Sequence, residues 1–199
     1  MTYLHYYLVK IYKHNLKGNF IYSPLHWHRS IEITITLTGH IQFNTGTNNF
    51  YCSESDWLIF NSCELHSCRC INPSDVFLGI SIVISLPFIE KWLGQKLFFY
   101  NPELPHVSMR LKTIATQLFY MDETSNNYPL ILMSKVYEVL HLIAENCIKQ
   151  DCTYSVFAER DLTIAAEFTD YIEQHYQENL TLNDAAEYFK YSPSYFPDI

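Results

Sequence analysis

The sequence carries little basic charge: 13 lysines and arginines stand against 21 aspartates and glutamates, a formal net charge of −8. Proteins bind nucleic acids largely through lysine and arginine contacts with phosphates, so this balance argues against DNA binding by the chain alone. No apolar run approaches the roughly 18 residues of a membrane-spanning helix, and the first residues lack the layout of a secretory signal. We therefore predict a cytoplasmic chain with no membrane partner.

Cysteines spaced as CxxC are also missing, although the chain has six cysteines. Without that spacing there is no zinc-knuckle pattern, and we expect reduced thiols. One local pattern leaves an alternative open, because His66, Cys68 and Cys70 alternate and a strand would place all three on one face. A soft-metal or redox sensor would need such thiols exposed, whereas free cysteine is more often buried as a small apolar residue.

Apolar and aromatic residues, in contrast, are abundant. The hydrophobic content of 48%, with 16 tyrosines and 13 phenylalanines, suffices for one core and a small appendage. From residue 3 to about residue 85, short runs with period-two apolar positions are separated by polar turn clusters, which predicts a β-barrel or sandwich. From Leu86 onward the apolar spacing becomes helical. We therefore predict an α+β chain with one domain at 1–150 and a separate segment at 161–199.

Two amphipathic stripes follow the predicted strands. The first consists of Met109, Leu111, Ile114, Leu118 and Met121, and the second of Leu132, Val136, Val139, Leu140, Ile143 and Cys147. A polar loop at 123–129 would join them into an antiparallel helical hairpin. The second stripe is close to a coiled-coil seam, and we predict that it forms part of a homodimer interface. Alternatively, the same residues cover the barrel or pair with the first helix.

A histidine-rich pattern lies in the strand-rich half. It reads His26-Trp27-His28-x3-Glu32-x6-Gly39, and a second stretch runs from Asp56 through Trp57-Leu58-Ile59-Phe60-Asn61 to His66. These stretches resemble the two motifs of the cupin jelly-roll barrel, and also the N-terminal barrel of AraC-type regulators. Two glycines of the pattern are replaced, since Phe20 and Ser55 stand at their positions. The resemblance implies a cupin-like β jelly-roll barrel.

The residues of this pattern differ by even numbers, so on continuous strands they share one face. If that face points into the barrel, its imidazole, carboxylate and hydroxyl groups would suit a small polar effector such as a sugar, and the intervening isoleucines would pack under the helices. The opposite orientation, with the isoleucines inward, is physically as good. For the first orientation, we predict an effector site formed by His26, His28, Glu32, Thr34, Thr36 and His66.

The same histidines and Glu32 could ligate iron, manganese, nickel or zinc. An enzyme of that kind would keep an open coordination position for its substrate. Against this, histidines in such places can be core residues with satisfied hydrogen bonds, and the resemblance implies regulators that keep similar residues without a metal. We therefore predict no metal, cofactor or catalytic residue. The alternative is a small metal-dependent cupin enzyme that uses His26, His28, Glu32 and His66.

The C-terminal segment combines helix-capping and turn signals. Thr181 precedes apolar positions at helical spacing, with Asp184 three residues on, the spacing of a capping box. Ser192 and Pro193 would cap and begin a further helix. The whole pattern reads Tyr171-Ile172-x3-Tyr176-x3-Leu180-Thr181-Leu182-x2-Ala185-Ala186, then Ser192-Pro193-Ser194-Tyr195-Phe196. It resembles the start of the DNA-binding domain of the AraC/XylS transcriptional regulators.

That resemblance implies a truncated first helix-turn-helix, with Ser192, Ser194 and Tyr195 at the start of its recognition helix. The sequence departs from the family after Phe196, where Pro197-Asp198-Ile199 replaces the usual basic residue and Phe-Lys. Residues 161–199 contain eight acidic side chains and one basic side chain, Lys190. This balance predicts negligible DNA affinity.

The two resemblances occur in the order that the AraC-like family requires, barrel first and helix-turn-helix second. We therefore predict the effector-sensing and dimerisation part of such a regulator. Its expected partners are a small-molecule effector and a second copy of the chain, with DNA bound only through the complete regulator.

Overall fold

The computed structural model describes residues 8–18, 21–45, 48–70, 76–94, 97–148, 167–172 and 174–190. The chain divides into two compact units, Met1–Cys152 and Thr153–Ile199. The strands of the first unit are β1 (Val9–Lys17), β2 (Ile21–His26), β3 (Ile31–Thr38), β4 (Ile41–Asn44), β5 (Asn49–Cys52), β6 (Trp57–Phe60), β7 (His66–Arg69) and β8 (Val76–Ile84). Its helices are α1 (Leu86–Leu93), α2 (Pro105–Phe119) and α3 (Tyr128–Asn146). Within the described ranges, no helix is long and apolar enough to cross a membrane.

The strand order defines a jelly roll. Two four-stranded antiparallel sheets have the orders β1-β8-β3-β6 and β2-β7-β4-β5. The pairs are nested, because β1 pairs with β8, β2 with β7, β3 with β6 and β4 with β5. A long antiparallel hairpin rolled into two sheets gives this arrangement, which is that of double-sheet jelly rolls such as the cupins. The predicted cupin-like barrel is confirmed.

Strand β3 shows how the barrel and the helices meet. Ile31, Ile33 and Ile35 are almost completely buried and belong to one apolar core together with residues of α2 and α3. Each such side chain contributes about 1.5–3 kcal/mol when it is removed from water. The alternate residues Glu32 and Thr34 line a cavity inside the barrel. Of the two orientations that the sequence left open, the structure has the one with isoleucines under the helices.

The buried stripe of α2 differs by one member from the predicted stripe. Val107, Leu111, Ile114 and Leu118 are buried, whereas Met109 is 68% exposed. Successive helical residues are about 100° apart, so Met109 lies well away from the direction of Val107 and Leu111. Met109 is predicted in the same stripe as Leu111, and the structure puts it outside the buried face.

The predicted dimer stripe of α3 is used inside the chain. Val136, Val139, Leu140 and Ile143 are buried in the core that α2 and the first sheet share, and Leu132 packs partly buried against it. Since the chain itself covers these side chains, they offer no surface to a second subunit, and their assignment to a dimer seam is corrected. The apolar outer face of the sheet needs a cover, and this stripe supplies part of it. Homodimerisation itself stays a prediction.

Two asparagine side chains attach the segment before α2 to the edge strand β6. Asn61 accepts from the Phe99 N–H at 2.9 Å and donates to the Phe99 carbonyl at 3.0 Å. Asn101 accepts from the Ile59 N–H at 2.6 Å and donates to the Ile59 carbonyl at 3.3 Å. Each side-chain amide thus pairs with a backbone as a neighbouring strand would, and the edge of the sheet is covered.

The second unit contains helical residues at 167–172 and 174–175 and the helix α4 (Leu182–Phe189). The predicted capping box is present: the Asp184 N–H donates to the Thr181 hydroxyl at 3.3 Å, and the Thr181 N–H donates to the Asp184 carboxylate at 2.8 Å. The Phe189 ring lies 5.7 Å from the Phe168 ring and 5.5 Å from the Tyr171 ring. An aromatic contact therefore joins the two helical segments.

Two residues of the C-terminal pattern are more exposed than an interhelical contact requires. Ile172 is 41% exposed and Leu182 is 49% exposed, so neither belongs to the contact between the helical segments. The predicted recognition-helix residues Ser192, Ser194 and Tyr195 lie outside the described residues.

We expect Asn61→Ala to destabilise the first unit by about 1–3 kcal/mol, because two buried backbone groups of Phe99 lose their partner. Urea unfolding followed by circular dichroism measures the change. The control is Asn126→Ala, in the exposed connection between α2 and α3, which should stay within about 0.5 kcal/mol of the wild type. Equal losses in the two variants would contradict the role given to Asn61.

Candidate functional site

The barrel contains a cavity of about 540 Å³ that is lined from β1, β2, β3, β4, β7 and β8. Small-molecule sites typically measure about 300–1,000 Å³, so the volume suits a small ligand. Of the predicted effector-site residues, five line this cavity and are brought together by the fold: His26, His28, Glu32, Thr34 and His66. The register of β2 and β7, which places His26 opposite His66, joins the two predicted motifs.

Thr36 is the predicted site residue that does not line the cavity. Its side chain is buried, and its strand partner on β8 is Gly79. A Cβ atom on Gly79 would lie 2.4 Å from Cζ of Phe77, so the Phe77 ring occupies the space over this glycine. Phe77 is itself part of the cavity wall. The ring therefore closes the cavity before Thr36, and the assignment of Thr36 to the ligand site is corrected.

The three histidines are oriented alike by the backbone. The Nδ1 atom of His26 lies 2.9 Å from the Pro24 carbonyl, that of His28 lies 3.0 Å from the Ser30 carbonyl, and that of His66 lies 2.8 Å from the Glu64 carbonyl. A carbonyl oxygen only accepts, so each Nδ1 carries the proton, and in the neutral ring the lone pair is on Nε2. One ring nitrogen from each histidine lies within 4.8 Å of the other two.

Glu32 lies against this cluster. Its Oε2 atom is 3.0 Å from Nε2 of His28 and 3.5 Å from Nε2 of His66. The buried Nε2 atom of His66 makes no hydrogen bond among the described residues, so its contact with the carboxylate is an ion pair only when the ring is protonated. The His66 ring is fixed in its plane by stacking on Phe60, with centroids 4.5 Å apart.

The electrostatics of the cluster favour an ionised Glu32. Burial by itself raises the pKa of Glu32, but the contacts with His28, His66 and Ser81 outweigh burial and hold this pKa well below its usual range. Burial lowers the pKa of His66, yet Glu32 and the Glu64 carbonyl raise it above its usual value. The Glu32 carboxylate and the His66 imidazole therefore stabilise opposite charges on each other.

His28 has an unusual set of partners, since both of its ring nitrogens face oxygen acceptors, the Ser30 carbonyl and Glu32. A neutral imidazole has a single N–H group. The contact between Nε2 and the carboxylate therefore needs either a second proton or a cation placed between the two groups.

The cluster fits a divalent metal ion. Histidines that bind metals commonly donate their other N–H to a carbonyl or carboxylate, and all three histidines here do so. The buried Nε2 of His66 has no hydrogen-bond partner among the described residues, so its lone pair is available to a metal ion. His26, His28, His66 and Glu32 would hold zinc, manganese, iron or nickel. Such an ion, when bound, supplies Lewis acidity or an anchoring point for a ligand oxygen.

Cys68 also lines the cavity, but its thiol is poorly suited to a soft-metal or redox site. Burial raises the pKa of its thiol to about 12. The thiolate is the reactive and metal-binding form, so Cys68 is a neutral thiol at neutral pH. This disfavours the sensor alternative that the alternation of His66, Cys68 and Cys70 left open.

Several polar residues of the cavity wall were missed in the sequence, and three of them are linked by hydrogen bonds. These three are His14, Tyr22 and Ser81. The signal for His14 was present, because Leu8, Lys10, Tyr12 and His14 alternate along β1 and all line the cavity. Ser81 interrupts an apolar run in β8, and its inward direction depends on the pairing of β8 with β3.

The comparisons with known proteins give a limited result. No family model and no curated protein matches the chain. A cupin superfamily protein from Desulfitobacterium hafniense is 13% identical over 39% of this chain and 68% of that chain, with a TM-score of 0.35. An RmlC-like cupin with a double-stranded β-helix fold from Methanocaldococcus jannaschii is 17% identical over 41% and 73%, with a TM-score of 0.37.

A DMSP lyase from Ruegeria pomeroyi is 19% identical over 40% of this chain and 39% of its own length, with a TM-score of 0.35. At these TM-scores the likenesses carry no evidence about activity. The assignment of a cupin-like jelly roll rests on the strand order of this chain.

We expect His14 to make the stability of the barrel depend on pH. Burial, opposed by a smaller effect of Glu32, lowers the pKa of His14 below its usual value of 6.5. The unfolded chain then binds a proton more readily than the folded chain, so this contribution to stability is lost as the pH falls through 6.5. His14→Gln should therefore lose less stability than the wild type between about pH 7 and pH 5.

Urea unfolding at a series of pH values measures this difference. The matched control is His106→Gln, at an exposed position of α2, whose pH dependence should follow that of the wild type. Parallel curves for the wild type and His14→Gln would show that the buried ring of His14 does not couple folding to proton binding.

Proposed function

We propose that this chain is the effector-sensing part of an AraC-like transcriptional regulator, with a small polar molecule bound inside the jelly roll. The observation that carries the proposal is the cavity of about 540 Å³ whose wall presents the polar face of β3, Glu32 and Thr34, together with three histidines. Binding sites of this kind combine an apolar wall with a few convergent polar groups.

The composition of the wall supports a ligand rich in hydroxyl groups. Tyr12 and Tyr22 present phenol rings, and Phe43 and Phe77 present apolar faces. Hydrogen-bond donors and acceptors line the same wall as these rings. Sites for sugars and polyols combine aromatic rings and hydrogen-bonding groups in this way. No acidic residue other than Glu32 lines this cavity among the described residues.

The regulatory part of the proposal is supported by the second unit. The capping box of Thr181 and Asp184 and the aromatic contact between Phe168 and Phe189 suit the first two helices of a helix-turn-helix. The acidic balance of residues 161–199 predicts little DNA affinity for this segment by itself.

Homodimerisation belongs to the same proposal, but through a different face of α3 from the predicted stripe. Leu130 is 76% exposed, and Tyr137 is partly exposed and lies 5.4 Å, ring to ring, from the exposed Trp92 of α1. Exposed apolar and aromatic side chains of this kind are enriched at protein interfaces.

We expect at least one neutral monosaccharide or polyol, at millimolar concentration, to raise the melting temperature of the purified chain. A ligand at 100 times its Kd stabilises a protein by about 2.7 kcal/mol. The shift should be lost in Glu32→Gln, which keeps the size of the side chain but removes the carboxylate. Thr36→Val should retain it, because Thr36 lies outside the cavity wall. A panel that gives no shift, or a shift that survives Glu32→Gln, contradicts the assigned site.

The second candidate function is a small metal-dependent cupin enzyme. The observation in its favour is that all three Nδ1 atoms face backbone carbonyls while one ring nitrogen from each histidine lies within 4.8 Å of the other two. In this reading His26, His28, His66 and Glu32 hold the ion, and the open side of the cluster faces the substrate in the cavity.

For this candidate, we expect iron, manganese, nickel or zinc to copurify with the wild type at about one ion per chain, since a single such cluster is present among the described residues. Elemental analysis of the purified protein measures the content. His28→Ala should lose the ion, and His141→Ala, at an exposed position of α3, should keep it. A metal-free wild type that cannot be loaded with any of these ions excludes the enzyme.

A further inference from the structure

A continuous row of hydrogen bonds crosses the cavity wall behind the histidine cluster. Tyr22 Oη lies 3.1 Å from Nδ1 of His14, and Nε2 of His14 lies 2.9 Å from Oγ of Ser81. Oγ of Ser81 lies 3.0 Å from Oγ1 of Thr34, which in turn lies 3.1 Å from Oε1 of Glu32. The row therefore links β2, β1, β8 and β3 and ends on the carboxylate beside the cluster.

The carboxylate sets the direction of every bond in this row. A carboxylate only accepts, so the Thr34 hydroxyl donates to Glu32 and can accept from Ser81. Ser81 in turn accepts from the Nε2–H of His14, which leaves Nδ1 of His14 to accept from the Tyr22 hydroxyl. Ser81 also hydrogen-bonds Glu32, so its proton goes either to Thr34 or directly to the carboxylate, and both arrangements hold Glu32 in place.

The row is shielded from water, since His14, Thr34 and Ser81 are all buried. Buried polar groups are strongly oriented when every partner is satisfied. Thr36 is the natural contrast, because it lies two residues further along the same strand, is equally buried, and its hydroxyl has no hydrogen-bond partner within the described part of the chain.

The two oxygens of Glu32 consequently have different neighbours. Oε1 is held by Thr34 at the end of the row, whereas Oε2 faces the Nε2 atoms of His28 and His66. A carboxylate fixed in this way presents one oxygen to an ion among the histidines.

We infer that Thr34, Ser81 and His14 are positioning residues that aim one oxygen of Glu32 at a divalent cation bound by His26, His28 and His66. The inference rests on the metal-binding candidate for this cluster. None of the three residues contacts the ion itself. Their effect passes through the orientation of Glu32, as outer hydrogen-bond partners of metal ligands act in general.

The test is a Co²⁺ titration of the metal-free protein, read as affinity by competition with a chelating indicator and as the visible spectrum of the bound ion. Thr34→Val keeps the shape of the side chain but removes the hydroxyl, and it should weaken Co²⁺ binding by about 10- to 100-fold. The spectrum should change with it, because the carboxylate ligand is no longer fixed. Thr34→Ser keeps the hydroxyl and should restore both properties.

Thr36→Val is the matched control, since it makes the same substitution on the same strand without touching the row, and it should bind Co²⁺ as the wild type does. Ser81→Ala breaks the row at the next link. The effects of Ser81→Ala and Thr34→Val should be less than additive in the double variant, because both substitutions act on the orientation of the same carboxylate. Circular dichroism of the metal-free variants establishes that each is folded, and Ser81→Ala serves if Thr34→Val is not.

Wild-type affinity and spectrum in both Thr34→Val and Ser81→Ala would overturn the positioning role while leaving the metal site intact. An equal loss in Thr36→Val would overturn it as well, since the effect would then come from packing. A wild type that binds no Co²⁺ overturns the inference together with the metal-binding candidate. The predicted shift in melting temperature with a sugar or polyol is tested independently of this inference.

Discussion

Strand β3 is buried on both faces, and the two-residue period of a strand decides which chemistry each face receives. Ile31, Ile33 and Ile35 lie under the helices, whereas Glu32 and Thr34 point into the cavity. A shift of one residue in the pairing of β3 would exchange the two faces. It would place a carboxylate in an apolar core without partners, and an unpaired buried charge is strongly unfavourable. The register of the first sheet and the location of the site are therefore fixed by the same constraint.

The helices follow from that constraint. The isoleucine face needs an apolar cover, and α2 and α3 provide it with Leu111, Ile114, Val136 and Val139. The heptad-like spacing in α3 is equally consistent with packing on a sheet and with packing on another subunit. The spacing of apolar residues shows which of them share a helix face, but it does not show which surface packs against that face. For this reason the prediction of a dimer seam failed where the prediction of a helix succeeded.

The same distinction separates what the sequence could and could not reveal about the site. His26, His28, Glu32 and His66 were found because their spacing resembles known motifs, and the fold brings them together. Thr36 fits the period of β3 as well as Thr34 does. Its exclusion depends on the Phe77 ring over Gly79, and on the pairing of Gly79 with Thr36, which is distant in sequence. The partners that hold Glu32 come from β1 and β8, and such contacts leave no local pattern in a single sequence.

The cavity wall also bears on the choice between binding and catalysis. General acid–base catalysis requires a group within hydrogen-bond reach of the substrate that is able to exchange a proton. Glu32 is the carboxylate among the described residues of the wall, and its oxygens are engaged by Thr34 and His28. Both nitrogens of His14 are engaged as well, by Tyr22 and Ser81. The engaged groups, Glu32 and His14, are suited to holding a fixed shape and charge, whereas the buried Nε2 of His66 has no hydrogen-bond partner among the described residues and is available to a bound ion or ligand.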